Sequence, residues 1–581
     1  MQRAMLSGNE AIARGFYEAG GLFASAYPGT PSTEILENIG KYEEIQAQWA
    51  PNEKVALEVA AGAALGGVRS LSAMKHVGLN VAADPLFSLS YMGVNGGLVL
   101  VSADDPSMFS SQNEQDNRWY ARAAKIPMFE PSDSQEAKDF TALAFELSEQ
   151  FDTPVLLRTT TRINHSKSIV KLGDRVVPQQ KVYVKNMAKN VLLPSNAQKK
   201  RVLVEARMAN LAEYGNTCSC NRLEWANKKL GIITSGISYQ YAKEVFPDAS
   251  FLKLGMTHPL PKKLILNFAK QIERLIVIEE LDPFLEEQIT RWGIKVEGKD
   301  KLPIIGELNQ TIVARAFQNV HRQSDSVVKG SNLPPRPPVL CPGCSHRGMF
   351  YAMKKLRLIV TGDIGCYTLG ALPPLETTDT CLCMGASIGF AHSLEKVIDE
   401  KLKRKIIGVI GDSTFFHSGI TGLIDMVYNK SKAKICILDN HITAMTGHQE
   451  HPGSGWTLKH QPTVKVSIEA ICRAVGVNKV ITVNPYDTKT TISALKEIMQ
   501  ADELAVIIAD APCVIRERKI FSRPYWVETE KCTVCGLCHQ IGCPAIEKND
   551  EGKATINLLL CIGCDICRQV CKPQAIQKPS D

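Results

Sequence analysis

The 581-residue chain has no run of 18 or more apolar residues, the length a membrane-crossing helix needs. Neither sign of charge dominates, because 67 Lys and Arg against 60 Asp and Glu leave a net charge of only +7. With no basic block, the sequence demands neither nucleic acid nor an anionic membrane as a partner. The N-terminal segment MQRAMLSGNEAIARGFYEAG lacks the continuous apolar core and small-residue cleavage site of a secretory signal. It reads as a polar-flanked amphipathic helix, so the expected compartment is the cytoplasm. Hydrophobic residues at 44% and charged residues at 22% are ordinary globular values, which exclude collagen-like, disordered and polytopic membrane classes.

Cysteine is in excess. Eighteen thiols without an export signal point to metal or redox chemistry rather than to disulfides. Eight of them lie between Cys532 and Cys571. At one domain per roughly 150 residues, the length predicts about four domains.

Residues 1–165 alternate apolar strand-like runs (GLFASAYPG, GGLVLVSADDP, TPVLLRTTT) with amphipathic stretches such as EKVALEVAAGAALGG, an α/β pattern. Residues 166–227 form a polar connection with a charged helix near Ser195 to Tyr214. The one-residue spacing of Cys218 and Cys220 does not suit a metal knuckle. KLGIITSG and ERLIVIEE read as buried strands of a smaller α/β domain over 228–320. A linker at 321–338 follows, stiffened by Pro334, Pro335, Pro337 and Pro338. LIVTGDIGC, KIIGVIGDS, KICILDN and AVIIADAPC predict a second large parallel sheet within 339–520. From 521 to 581 the chain is Cys-rich and strand-poor.

Two CxxCxxC runs, each with a later cysteine, match a pair of [4Fe-4S] cubanes, in which three close thiolates hold one cluster and the distant fourth ligates the other. On that crossing rule Cys532, Cys535, Cys538 and Cys571 form one set, and Cys561, Cys564, Cys567 and Cys543 the second. Zinc would also need four thiolates per site, and eight cysteines supply two such sites, but the triple spacing favours cubanes. Gly411, Asp412 and Ser413 end one apolar run and Asn440 ends the next. This resembles the thiamine diphosphate motif, in which Asp412, Asn440 and a carbonyl near Ile442 would bind Mg²⁺ through oxygen.

The segment NEKVALEVAAG resembles the activating-glutamate segment of thiamine-dependent decarboxylases. The register of that family selects Glu53, with Glu58 as the competing carboxylate. YPGTPS, LCPGCSHR, MKHVGLN and TGHQEHPG extend the likeness along nearly the whole chain. It resembles the 2-oxoacid:ferredoxin oxidoreductases, and among them most the alpha subunits of the indolepyruvate branch. That resemblance implies a pyrimidine-binding domain at 1–165, a diphosphate-binding domain at 339–520 and a bacterial-type two-cluster ferredoxin domain at 521–581. It implies Thr30 at the substrate carboxylate, with Arg118 as the candidate counter-ion. His76 and His448 would border the cofactor as candidate acid-base groups. A third [4Fe-4S] cluster would be held by Cys341, Cys344, Cys366 and Cys513, with Cys381 or Cys383 able to replace one ligand. The implied reaction is oxidative decarboxylation of an aromatic 2-oxo acid to an acyl-CoA, with ferredoxin as electron acceptor. Pyruvate, branched-chain oxo acids and a non-oxidative thiamine decarboxylase are the alternatives. A separate beta subunit and an α2β2 assembly are also implied, because the family uses a further domain and its two thiamine halves typically meet across a subunit interface.

Overall fold

Apolar runs separated by helix-length segments fold into two large, mainly parallel sheets, as the pattern predicts. The computed structural model describes residues 2–176, 178–318 and 337–579. The chain divides into two compact units, Met1–Asn332 and Leu333–Asp581. Apart from Pro337 and Pro338, the expected proline-rich linker lies outside the described residues.

In the first unit, a seven-stranded sheet runs in the order Met256–His258, Met128–Phe129, Val155–Thr160, Leu98–Asp104, Ser70–Lys75, Phe23–Ala26 and Gln46–Trp49. All are parallel except Met256–His258, which pairs antiparallel at one edge. Leu98–Asp104 and Val155–Thr160 are buried at every position, as expected of parallel strands covered on both faces. The edge strand belongs to the smaller α/β region and so joins it to this sheet. That region has its own four-stranded sheet, in the order Arg274–Ile278, Asn227–Ser235, Ala249–Leu254 and Arg222–Glu224. The charged helix spans Pro194–Gly215 and buries only Val204, Leu211 and Gly215.

The N-terminus departs from the single helix expected. Arg3–Ser7 is a strand paired antiparallel with Lys167–Lys171, and the helix begins at Gly8. Ser7 makes the break. Its hydroxyl accepts the Glu10 N–H while the Glu10 carboxylate accepts the Ser7 N–H, a capping box that starts a helix at that point.

The second unit carries a six-stranded, all-parallel sheet in the order Thr380–Cys381, Ile359–Gly362, Ile406–Gly411, Lys434–Asp439, Ala505–Asp510 and Lys479–Val483. Ile406–Gly411 and Lys434–Asp439 are neighbours, so Asp412 and Asn440 leave adjacent carboxyl ends, where open α/β sheets bind ligands. Among the described residues beyond 520, only two short ladders form, Trp526–Val527 with Ile576–Gln577 and Ile546–Lys548 with Ala554–Ile556. This region packs onto the sheet domain through an apolar cluster that includes Tyr351, Tyr486, Val514, Ile541, Ile566 and Val570. Among the described residues, no helix is long and apolar enough to cross a membrane.

Candidate functional site

The helix Glu53–Leu65 is capped by Asn52, whose side chain accepts the Val55 N–H. The cap sets Glu53 in the first turn, 4% exposed. There it lies against Gly78, where a Cβ would stand 2.6 Å from Glu53 Oε1, so only glycine leaves room for the carboxylate. Glu58, one turn on, is exposed and ion-paired with Lys54. The two glutamates considered in the sequence are thus one buried and one at the surface.

Lys75 ends the strand Ser70–Lys75 and packs on Gly29 of the YPGTPS loop. Its ammonium donates to the Ser110 carbonyl at 3.0 Å, and the Ser110 hydroxyl donates to the Thr30 carbonyl at 3.3 Å. Burial pulls the Lys75 pKa down to about 8, against the opposing charges of Asp105 and Glu53. The sequence reading missed this cation; its only signal was a lysine at the carboxyl end of a buried strand. His76 is fully buried, with Nε2 at 3.1 Å from the Asn113 carbonyl and 3.2 Å from the Asn113 side-chain oxygen. Burial, and then Lys75, press its pKa to about 4, so at neutral pH it is an uncharged hydrogen-bonding group.

Arg118 requires a correction. Only 1% exposed, it binds Asp116 through Nε and Nη2, Glu279 through Nη1 at 2.6 Å, and the carbonyls of Glu280 and Asp282 through Nη2. Two buried carboxylates already neutralise it, so it is not free to meet a substrate carboxylate.

In the second unit, Gly411 is needed because a Cβ there would lie 2.5 Å from the Tyr367 ring. Asp412 is buried. Its Oδ1 accepts the Ser413 N–H at 2.8 Å and its Oδ2 lies 3.1 Å from His451 Nε2. His451 Nδ1 accepts the Gly453 N–H at 3.0 Å, so the ring proton sits on Nε2 and is donated to Asp412. Burial opposes the Asp412 charge, yet His451 and Ser413 hold its pKa below the usual carboxylate range. Asp439 goes the other way, pushed up to about 7 by burial and by the neighbouring Asp412. Asn440 Oδ1 accepts the Ile442 N–H at 3.2 Å, and Thr443 donates to the Ser413 hydroxyl at 2.8 Å. Asp412, Asn440 and Ile442 therefore offer a carboxylate, an amide oxygen and a backbone carbonyl at neighbouring strand ends, a donor set suited to a hard divalent cation.

The cysteines fall into groups. Cys532, Cys535, Cys538 and Cys571 line one cavity. Cys543, Cys561, Cys564 and Cys567 line another. Each cavity takes three thiols from one CxxCxxC run and the isolated fourth from the other. Burial pushes up the thiol pKa of Cys341, Cys344 and Cys366, and Cys513 adds to the rise at Cys341 and Cys366, as Cys366 and Cys341 do at Cys344. His448 Nε2 stands 3.7 Å from Cys513 Sγ. Cys381 turns instead to the Asp363 carbonyl at 3.6 Å. Cys218 and Cys220 are buried with their sulfurs 2.8 Å apart.

Residues 14–217 match the family "Pyruvate flavodoxin/ferredoxin oxidoreductase, thiamine diP-bdg", and residues 363–509 match "Thiamine pyrophosphate enzyme, C-terminal TPP binding domain". Both parallel-sheet domains are thus of the thiamine-diphosphate-binding type. The chain is 43% identical to the indolepyruvate oxidoreductase subunit IorA of Archaeoglobus fulgidus, over 99% of this chain and 97% of that one. Identity to the subunits of the same name from Methanothermobacter marburgensis and Pyrococcus horikoshii is 42% and 40%, with the same coverage. With that identity spread over almost its full length, the chain belongs to the family of indolepyruvate oxidoreductase IorA subunits.

Proposed function

We propose that this chain catalyses the oxidative decarboxylation of aromatic 2-oxo acids, indolepyruvate foremost, to aryl-acyl-CoA and CO₂ with reduction of ferredoxin. The observation that carries the reading is the coexistence, in an IorA-family chain, of a buried first-turn Glu53, the Asp412, Asn440 and Ile442 oxygen set, and two cavities each lined by four thiols. Thiamine diphosphate, when bound, supplies the carbon nucleophile and electron sink that cleavage beside a ketone needs. Asp412, Asn440 and the Ile442 carbonyl would hold Mg²⁺ and through it the diphosphate, beside Gly411 and Ser413. Glu53 would hold a proton at the aminopyrimidine ring nitrogen, and its burial keeps water from competing for it. Lys75, taking the part first given to Arg118, would meet the substrate carboxylate beside Thr30 through a charge-assisted hydrogen bond. His76 would serve as a neutral hydrogen-bonding support, and His448 would cover Cys513.

Each four-thiol cavity suits a [4Fe-4S] cluster, because three-plus-one crossing is the ligand pattern of two-cluster ferredoxins. We read 521–581 as such a domain, 1–165 as the pyrimidine domain, 228–320 as the small α/β domain and 339–520 as the diphosphate domain. Cys341, Cys344, Cys366 and Cys513 would hold a third cluster. A separate beta subunit in an α2β2 heterotetramer, coenzyme A and ferredoxin complete the system. The test is an anaerobic assay of the chain with its beta subunit. Ferredoxin reduction that requires both indolepyruvate and CoA supports the reading. CO₂ release independent of CoA and of any electron acceptor would indicate the non-oxidative alternative instead.

A further inference from the structure

Arg347 lies in the helix His346–Leu356 and is 2% exposed. Its hydrogen bonds end on main-chain carbonyls: Nε on Cys341 at 3.0 Å, Nη2 on Leu340, and Nη1 on Ile541 at 3.1 Å and on Gly542. Leu340 and Cys341 open the loop that carries Cys341 and Cys344. Ile541 and Gly542 directly precede Cys543. One guanidinium therefore ties together two loops that present thiols to different cysteine sets. Gly542, at φ +70, permits the approach, since a Cβ there would stand 3.2 Å from Arg347 Nη1. Pro342, Gly343 and Arg347 also wall the cavity lined by Cys543, Cys561, Cys564 and Cys567. The Tyr486 hydroxyl braces the same loop by donating to the Gly343 carbonyl at 2.8 Å.

A buried guanidinium needs a counter-charge, because removing a cation from water without one is strongly unfavourable. Among the described residues no carboxylate pairs with Arg347. Burial disfavours its charge, and the neighbours that favour it are the thiols of Cys543, Cys344, Cys341 and Cys564. A cysteine offers negative charge only as thiolate, its metal-ligating form. The charge of Arg347 is thus matched when the cysteines on both sides are ligands.

We infer that Arg347 is a positioning residue for electron transfer, tying the Cys341–Cys344 loop to the Cys543 loop and supplying one positive charge shared by the iron-sulfur sites on either side. The inference rests on the reading that both cysteine sets hold clusters. A fixed positive charge stabilises the reduced form of a neighbouring cluster and raises its potential. The set of Cys532, Cys535, Cys538 and Cys571 has no Arg347 in its walls and serves as the internal control.

The test uses the full chain purified anaerobically, with iron and sulfide counted before a potentiometric titration followed by electron paramagnetic resonance. In R347Q, the reduction equilibria of the two neighbouring clusters should shift at least tenfold toward the oxidised form, about 59 mV lower for one electron, with the control cluster unmoved. Unshifted potentials in an iron-loaded R347Q chain would overturn the inference. If R347Q does not retain its iron, R347K decides. It keeps a charge but loses the planar fork that spans the two loops, so magnetic coupling between the two neighbouring reduced clusters should weaken. Unchanged coupling and unchanged potentials in R347K would overturn the proposal. A wild-type chain without iron at either cysteine set would instead remove the cluster reading itself.

Discussion

Arg118 and Arg347 are both buried at 2% exposure or less, yet they sit in opposite surroundings. Asp116 and Glu279 enclose Arg118, and its charge is settled within the fold of the first unit. Arg347 donates only to main-chain carbonyls, of loops that carry cysteines of two different sets, and among the described residues no carboxylate pairs with it. The difference shows that the role of a buried ion is read from what neutralises it, not from its type or its motif. The two glutamates of one helix repeat the lesson, since Glu53 is enclosed beside Gly78 while Glu58 pairs with Lys54 at the surface.

That contrast can be broken in order of expected effect. R118M strands Asp116 and Glu279 without a cation, so it should cost about 3–5 kcal/mol of stability in urea denaturation of the full chain. A stable R118M with a greatly raised KM for the oxo acid would return Arg118 to the substrate. E53Q should keep the fold but lower kcat by about 10²–10⁴-fold, the usual worth of a positioned proton-transfer group. E58Q, by contrast, removes only a solvent-screened surface pair and should leave kcat as it was; a dead E58Q beside an active E53Q would reverse the assignment. K75M should raise KM for the 2-oxo acid roughly 10- to 100-fold, from loss of a charged hydrogen bond worth about 1.5–3 kcal/mol. The pH dependence follows in sign. Lys75 is a cation below its pKa of about 8 and neutral above it, so wild-type KM should be flat below that pH and rise beyond it. K75M should lack this rise, and a wild-type KM that falls above pH 8 would exclude Lys75 as the carboxylate partner.

Much of the second sheet was legible because parallel strands covered on both faces read as unbroken apolar runs, and Ile406–Gly411, Lys434–Asp439 and Ala505–Asp510 are such runs. Met128–Phe129 and Met256–His258 were not legible, since two- and three-residue strands have no periodicity and exist only through their pairing. The same holds for Arg3–Ser7, which is a strand because Lys167–Lys171 lies beside it. The grouping of the tail cysteines was legible because each CxxCxxC run is local, and each run lines one cavity with the isolated cysteine that follows the other. Arg118 was misread because only one of its two counter-charges, Asp116, is near in sequence, while the other, Glu279, is 161 residues away. Lys75 was overlooked for a related reason: only folding brings Gly29 and Ser110 to it. Local chemistry shows in a sequence, whereas counter-charges supplied by distant residues do not.

Iron, acid-labile sulfide and thiamine counted per chain after anaerobic purification test the central claim most directly. Three four-thiol sets and one pair of thiamine domains predict about twelve irons and twelve sulfides, four of each for every cubane, with one thiamine diphosphate. Eight irons, with none at Cys341, Cys344, Cys366 and Cys513, would contradict the third cluster, and zinc without sulfide would contradict the account as a whole.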